Sequence, residues 1–159
     1  MFSLQGKNVI ITGAGSGIGQ AIAVLFAKQG AHVEVLDLDI ENAQATVDRI
    51  TAAGGSAKAS ACDVGSVDAV KKLFDDIAAR HGGKIDILVN NAGIAHIGTA
   101  LTTSEADMDR LYRVNIKGVY ACANAALAHM TARQSGVILN MCSIAAQMGL
   151  ADRFAYSMT

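Results

Sequence analysis

The sequence lacks the features that mark membrane, secreted and nucleic-acid-binding proteins. No segment approaches ~18 uninterrupted apolar residues, and the amino terminus has no basic region followed by a long apolar run, so neither a membrane span nor a secretion signal is predicted. The 13 basic and 14 acidic residues give a net charge of −1, which excludes the strongly basic surface that nucleic acids and anionic membranes require. We expect a cytoplasmic protein with no nucleic-acid or membrane partner.

Cysteine and histidine are too few and too scattered to predict a disulfide framework or a metal site. The three cysteines form no CxxC pair, and all lie in segments with the pattern of buried elements, so we expect reduced packing residues: Cys62, Cys122 and Cys142. The four histidines show neither ligand spacing nor an HExxH pair: His32, His81, His96 and His129. We therefore expect no bound metal.

What the chain does contain is an alternation of short apolar strands and amphipathic helices. The predicted strands are Val9–Ile11, Ala31–Leu36, Ser56–Cys62, Ile85–Asn90 and Val137–Cys142. Strands separated by helices of ten or more residues need crossover connections, which place helices on both faces of a parallel sheet. At 159 residues the chain fits one domain, so residues 1–159 are predicted to form a single α/β, doubly wound, Rossmann-type unit.

A glycine-rich turn joins the first predicted strand to the first helix. The segment from Lys7 to Gly19 reads KNVIITGAGSGIG, and its glycines leave room both for a tight turn and for a phosphate held by helix N–H groups. A glycine cluster is a weak signal alone, because any tight strand-to-helix turn can use one. A phosphate-binding NTPase is disfavoured, since Gln20 and Ala21 stand where that motif needs lysine and serine or threonine.

An acidic residue after the second strand narrows the choice of ligand. Asp37 follows at close to the ~20-residue spacing at which a carboxylate meets the adenosine ribose of a dinucleotide. A 2′-phosphate would face like charge there, and no cation is supplied by Ala14, Ser16 or Leu38, so NAD is favoured over NADP. The alternative is that Asp37 is an ordinary exposed residue at the end of a strand.

Further motifs follow in a characteristic order. They are Thr12-Gly13-x-x-x-Gly17-x-Gly19, Cys62-Asp63-Val64, Asn90-Asn91-Ala92-Gly93, Val114-Asn115, Ser143 and Tyr156. In this order and spacing the sequence resembles the short-chain dehydrogenases/reductases over essentially its whole length. The resemblance implies an oxidoreductase that transfers hydride between nicotinamide and a secondary alcohol or ketone.

The resemblance also implies a set of site residues. The implied cofactor-binding residues are Thr12, Gly13, Gly15, Ser16, Gly17, Ile18, Gly19, Asp37, Leu38, Asp63, Val64, Asn90, Asn91, Ala92, Gly93 and Tyr156. The implied catalytic residues are Asn115, Ser143 and Tyr156, with Asn115 disturbing a helix and holding a water of the proton relay. From the residues alone, Asp63 could equally be a helix-capping or loop aspartate, and Asn115 a poor helix former.

Tyr156 is implied to be the general acid and base. A phenol with a pKa of ~10 must be brought to about 7 for this work, which needs roughly 4 kcal/mol of preferential phenolate stabilisation. In the family most of this comes from a lysine four residues after the tyrosine, and that position falls one residue past Thr159. We therefore expect the amino-terminal portion of a longer dehydrogenase, with poor turnover from these residues alone.

The absence of proline agrees with this expectation, because the family's proline-glycine turn follows a sixth strand. Without that strand, Val137–Cys142 is predicted to be an exposed sheet edge. A truncated, noncatalytic NAD-binding or interaction protein is the alternative function. The substrate could be a polyol, sugar, steroid or keto ester, and the family implies a homodimer or homotetramer for the full-length form.

Overall fold

Five parallel strands form one twisted sheet at the centre of the molecule. The computed structural model describes residues 2–159. Its strands are β1 (Asn8–Thr12), β2 (His32–Asp37), β3 (Ser56–Ala61), β4 (Ile87–Asn90) and β5 (Val137–Asn140). They lie in the order β3-β2-β1-β4-β5, so the chain builds outward on one side of β1 and then returns to build on the other.

Helices connect the strands and cover both faces of the sheet. They are α1 (Gly17–Lys28), α2 (Ile40–Ala52), α3 (Val67–Arg80), α4 (Glu105–Leu111), a π-helix (Tyr112–Gly118), α5 (Val119–Ala132), a 3₁₀ turn (Ile144–Ala146) and α6 (Phe154–Ser157). The Asp39 carboxylate caps α2 by accepting from Glu41 N–H, and Ser104 caps α4 in the same way through Asp107 N–H. The doubly wound α/β fold predicted from the sequence is confirmed.

Alternate residues of the central strands enter two separate hydrophobic cores. Val9 and Ile11 of β1 pack with α1 and α2, whereas Ile10 packs with α3 and α5. Because neighbouring strand residues point to opposite faces, a strand buried on both sides must be apolar at every position. Phe74 of α3 is fully buried and is the largest side chain of the second core.

The structure agrees with the sequence interpretation at the end of the second strand and corrects it at one cysteine. Asp37 is the last residue of β2. Cys62 and Cys122 are buried as expected, but Cys142 is exposed. The prediction for Cys142 is wrong because β5 is an edge strand and leaves the residues that follow it uncovered.

The exposed sheet edge predicted at the last strand is present. Among residues 2–159, β5 pairs with β4 alone, and its side chains are largely uncovered, with Val137 59% and Leu139 45% exposed. An apolar strand edge of this kind is a template for pairing with further chain. No helix within the described part of the chain is both long and apolar enough to cross a membrane.

The buried carboxylate of Asp86 connects the amino-terminal ends of β1 and β4. Asp86 accepts hydrogen bonds from Asn8 N–H at 2.9 Å and from the Arg133 guanidinium at 3.0 Å, which joins β1, β4 and the end of α5. Burial alone would raise the pKa of Asp86, but the Asn8 N–H and Arg133 outweigh it and hold that pKa below its ordinary value of 3.8. The ionised carboxylate therefore stabilises the fold.

This contact predicts a pH-dependent stability difference. Asp86→Asn is expected to lower the free energy of unfolding by about 1–3 kcal/mol at pH 7, because a charge-assisted contact is lost. A depressed pKa contributes stability above the unfolded-state value and loses it as pH falls through the folded-state value, so the difference should shrink below pH 3.8. Urea titrations of both proteins between pH 7 and pH 3 measure it.

The matched control is Asp76→Asn, which removes an exposed carboxylate of α3 and should change stability little at any pH. A difference between wild type and Asp86→Asn that stays constant across the whole pH range would contradict the assigned role of the charge.

Candidate functional site

A cleft opens at the carboxyl ends of β1, β2 and β4, where the strand order reverses. Ligands of doubly wound sheets bind at such switch points. The cleft has a volume of about 450 Å³ and is lined by most of the residues predicted to bind cofactor: Gly13, Ser16, Gly17, Ile18, Asp37, Leu38, Asp63, Val64, Asn91, Ala92 and Gly93. Of the other predicted residues, Asn90 and Tyr156 line the adjoining pocket, whereas Thr12, Gly15 and Gly19 line neither space.

Two glycines make the floor of the cleft possible. Gly13 adopts φ +62°, and a Cβ there would lie 2.8 Å from Ala92 Cα, so a side chain is excluded by both conformation and space. A Cβ at Gly19 would collide with the Gly13 carbonyl oxygen and the Asn91 amide. The tight turn expected from the glycine pattern is present, and the missing side chains also let the start of α1 lie directly against the loop after β4.

The Thr12 side chain ties the two sides of the switch point together. Its hydroxyl oxygen accepts from Asn91 N–H at 3.1 Å and from Ala92 N–H at 3.0 Å. The Asn91 side-chain amide donates in return to the carbonyl oxygens of Thr12 and Gly13, each at 3.0 Å. Thr12 is 1% exposed, so these backbone groups have little access to water as a substitute partner.

The amino end of α1 faces the cleft without a side-chain cap. Ser16 occupies the N-cap position in extended conformation, its hydroxyl makes no capping hydrogen bond, and the first turn contains no acidic residue. Gly17 adopts φ +54°, and nothing lies within 4 Å of the position that a Cβ would take. The positive end of a 12-residue helix therefore meets open space.

The Asp37 carboxylate lies at the rim of this space. One oxygen accepts from Gly15 N–H at 2.8 Å and the other from Asp39 N–H at 3.2 Å. Each carboxylate oxygen can accept a second hydrogen bond, so the group can still bind a ligand hydroxyl. Gly15 itself lies against Asp37 and Asn42, where a Cβ would be 2.7 Å from Asn42 Cβ.

Asp63 is held by a residue that the sequence reasoning did not single out. Its carboxylate accepts from the Arg113 guanidinium at 2.7 Å and from Gly65 N–H at 2.9 Å. The Arg113 hydrogen bond is the main cause that lowers the pKa of Asp63 below its ordinary value. Asp63 does not cap α3, whose N-cap is Ser66. Nothing in the local sequence around Arg113 signals this long-range contact.

A second pocket of about 340 Å³ adjoins the cleft and contains the predicted catalytic residues. Asn90, Asn115, Ser143, Tyr156 and Thr159 all line it. Both spaces share Ile18, Asn91, Ala92, Gly93 and Ile94 as walls. A ligand that begins at the amino end of α1 can therefore extend into the pocket that holds Tyr156.

Asn115 lies at the centre of the π-helix. Its side-chain oxygen accepts from Ile94 N–H at 2.9 Å, and its amide donates to Ile94 C=O at 3.0 Å and to the Thr159 hydroxyl at 2.9 Å. The disturbed helix geometry expected from the family resemblance is therefore present, spanning Tyr112–Gly118. π-Helices are rare and are frequent at functional sites.

Ser143 and Tyr156 lie near the two ends of the segment that follows β5. Ser143 precedes the 3₁₀ turn, and Tyr156 lies in α6. The Ser143 oxygen accepts from Ala145 N–H at 3.2 Å, which leaves its hydroxyl hydrogen available to a ligand. Thr159 donates to the Tyr156 carbonyl oxygen at 3.2 Å and so connects the short α6 to Asn115. Thr159 is a second contact residue that no sequence motif identified.

Asn90 ends β4 at the boundary of the two spaces. Its amide donates to the Asn140 side chain at 2.9 Å, which joins the ends of β4 and β5. Its buried side-chain oxygen, Oδ1, has no hydrogen-bond partner among the described residues, whereas its backbone carbonyl accepts from Met141 N–H at 2.9 Å. A buried acceptor of this kind is costly unless a ligand or water supplies a donor.

A parallel doubly wound sheet with this cleft at its switch point defines a nucleotide-binding fold of the Rossmann type. Residues 7–159 match the family of short chain dehydrogenases, and the chain belongs to this oxidoreductase family.

Three similar proteins illustrate the relationship. An uncharacterised oxidoreductase of Thermotoga maritima is 41% identical over 159 residues, covering 99% of this chain and 61% of that protein. D-threitol dehydrogenase of Mycolicibacterium smegmatis is 38% identical over 155 residues, covering 98% and 59%. The crystal structure of a metagenomic short-chain oxidoreductase in complex with NADP superposes with a TM-score of 0.93 at 38% identity, covering 99% of this chain and 71% of that one. The chain thus spans about three fifths of the length of the two curated relatives.

The hydroxyl of Thr12 provides a direct test of the switch-point geometry. Thr12→Val keeps the shape of the side chain but leaves two partly buried N–H groups without an acceptor, so the free energy of unfolding should fall by about 1–3 kcal/mol. Denaturant unfolding checks this, with Thr12→Ser as the control that retains the hydroxyl. Equal stability of the Val variant and the wild type would show that the shared hydroxyl is not needed.

Proposed function

We propose that the protein is an NAD-dependent oxidoreductase that transfers hydride between nicotinamide and a secondary alcohol or its ketone. The observation that carries this proposal is the joined pair of spaces that runs from the uncapped end of α1 to Tyr156. Residues 1–159 would form a single dinucleotide-binding domain. The substrate would be a small alcohol or carbonyl compound, and the full-length form a homodimer or homotetramer, as the family resemblance implies.

The residues around the cleft fit a dinucleotide in size and in chemistry. The pyrophosphate would lie against the N–H groups of residues 16–19, where the open space beside Gly17 admits it and the first turn of α1 carries no acidic side chain. Asp63 and Val64 would contact the adenine at one end of the cleft, and the loop from Asn90 to Gly93 would contact the nicotinamide half at the other.

Charge at the ribose position favours NAD over NADP. Asp37 would accept from the ribose hydroxyls, whereas a 2′-phosphate there would face a carboxylate. Of the described residues that line the cleft, Arg113 alone carries a positive charge, and it is paired with Asp63. The related metagenomic oxidoreductase was crystallised with NADP, so family membership by itself does not decide between the two cofactors.

Replacing Asp37 should shift this preference. Asp37→Ala is expected to raise the ratio of kcat/KM for NADPH over NADH by about tenfold or more, since even 1.4 kcal/mol of lost repulsion corresponds to tenfold. Asp37→Asn is the matched variant, because it removes the charge yet keeps an oxygen that can accept from Gly15 N–H. Steady-state rates with both cofactors measure the shift, and an unchanged ratio in both variants would contradict the ribose assignment.

The chemistry needs a hydride acceptor, a proton acceptor and a group that holds the substrate oxygen. Bound nicotinamide supplies or accepts the hydride. Ser143 would donate its free hydroxyl hydrogen to the substrate oxygen, and Tyr156 would take the alcohol proton in oxidation or return it in reduction. Asn115 would position Tyr156 through Thr159 and hold a water that exchanges protons with solvent.

Removal of the Tyr156 hydroxyl tests this assignment. In the full-length protein, Tyr156→Phe should lower kcat by about 10²–10⁴-fold, the usual contribution of a general acid or base, while the cofactor dissociation constant changes little. The absorbance change of the nicotinamide with a panel of secondary alcohols and ketones measures the rate. Tyr120→Phe, which alters an exposed tyrosine of α5, is the control and should leave the rate unchanged.

Normal turnover by Tyr156→Phe would remove Tyr156 from its proposed role. Cofactor binding without turnover by the full-length wild type, with every substrate in the panel, would favour the noncatalytic nucleotide-binding alternative instead.

A further inference from the structure

A cluster of three metal-ligating side chains lies at the end of the sheet opposite to the cleft. His32 is the first residue of β2, Glu34 follows two positions later on the same face, and His81 comes directly after α3. The ligand atoms of these three side chains all lie within 4.8 Å of one another. The cluster shares no residue with the walls of the cleft or of the pocket that contains Tyr156.

The distances within the cluster are close to those of a metal centre. Glu34 Oε1 is 2.8 Å from His81 Nε2 and 3.5 Å from His32 Nε2. Ligands that bind a tetrahedral Zn²⁺ at about 2.0–2.1 Å stand a little over 3 Å apart, so small side-chain rotations would bring the three atoms to one ion. The two imidazole rings already lie side by side, with their centres 4.6 Å apart.

One ring nitrogen in this cluster is left without a hydrogen-bond partner. His32 Nε2 is buried and makes no hydrogen bond to any described group, although it lies next to a fully buried carboxylate. The other nitrogen, His32 Nδ1, shares a hydrogen bond with the Ser56 hydroxyl at 2.7 Å. Histidine ligands of metals are typically oriented in this way, with one nitrogen bound to a neighbouring group and the other to the ion.

We propose that His32, Glu34 and His81 form a binding site for a divalent cation of the zinc type. Two imidazoles and one carboxylate are a donor set that Zn²⁺ prefers, and the fourth position would be open to water. Binding requires a free lone pair on His81 Nε2, so the ion would replace the present hydrogen bond between His81 Nε2 and Glu34 Oε1.

Arg80 is the group that limits the affinity of this site. Its guanidinium donates to Glu34 Oε2 at 3.0 Å, which holds the carboxylate in place but leaves Oε1 facing the two histidines. A positive charge so close to the ion opposes its binding. The site would connect the start of β2 to the end of α3, so its effect is on stability rather than on the reaction.

Metal binding to the purified protein tests the proposal. The protein is treated with EDTA, dialysed, and titrated with Zn²⁺ by calorimetry and with Co²⁺ by visible absorption, where a four-coordinate nitrogen and oxygen site gives a characteristic spectrum. One ion per chain is expected, together with a rise in melting temperature on addition of Zn²⁺. Absence of both heat and spectrum at millimolar metal would overturn the proposal.

Substitutions locate the ion. His32→Gln and His81→Gln should each abolish the Co²⁺ spectrum, whereas His96→Gln and His129→Gln, which alter histidines elsewhere on the molecule, should retain it. Circular dichroism establishes that each variant is folded. A spectrum that survives in His32→Gln and His81→Gln would place the ion elsewhere and contradict the site.

Two milder changes keep the test valid if a ligand variant does not fold. Ser56→Ala removes the partner of His32 and should weaken Zn²⁺ binding by about 10–100-fold, as loss of such orienting groups does. Arg80→Gln should tighten Zn²⁺ binding, because it removes the opposing charge. If neither changes the affinity, the cluster is a hydrogen-bonded charge network without a metal and the proposal fails.

Discussion

Two N–H groups of the loop after β4 share one acceptor, the hydroxyl of Thr12 at the end of β1. This contact joins the end of β1 to the loop after β4, at the point where the strand order reverses. Because Asn91 in turn donates to the Thr12 and Gly13 carbonyls, the glycine-rich turn cannot move independently of β4. The position of the amino end of α1, and with it the floor of the cleft, depends on this small network.

The charges around the cleft follow from the same geometry. Asp37 ends β2 next to β1, and the Gly15 N–H group fixes its carboxylate at the rim. Asp63 ends the segment after β3 and is held by Arg113 from the π-helix. The Asp37 carboxylate is therefore bound only by neutral N–H groups, whereas the Asp63 carboxylate is paired with the Arg113 cation. Two acids at the ends of neighbouring strands thus present different chemistry to a ligand.

The features that could be predicted from sequence depend on local or periodic constraints. The alternation of strands and helices and the turn containing Gly13 and Gly19 follow from residue periodicity and steric limits. The exposed edge at the last strand was predicted from the sixth strand that the family resemblance implies. The family resemblance added the disturbed helix around Asn115, which lies within a π-helix. Cys142 was misjudged because burial of a residue after an edge strand depends on what pairs with that edge.

Contacts between residues far apart in the chain could not be predicted in this way. Arg113 and Asp63 are 50 positions apart, and His81 and Glu34 are 47 apart, so no spacing rule connects either pair. His32 lies beside Glu34 on the same face of β2, but only the crossover through α3 brings His81 to the same buried carboxylate. Ion pairs and ligand clusters of this kind are products of topology rather than of local pattern.

We propose that a dinucleotide lies across the uncapped amino end of α1 and reaches from Asp37 to Tyr156. A crystal structure of the protein with NAD⁺ would show this. We expect the pyrophosphate within hydrogen-bond distance of the N–H groups of residues 16–19, the adenosine ribose hydroxyls on Asp37, and the nicotinamide beside Tyr156 and Ser143. A dinucleotide bound outside this cleft, or one whose ribose makes no contact with Asp37, would contradict it.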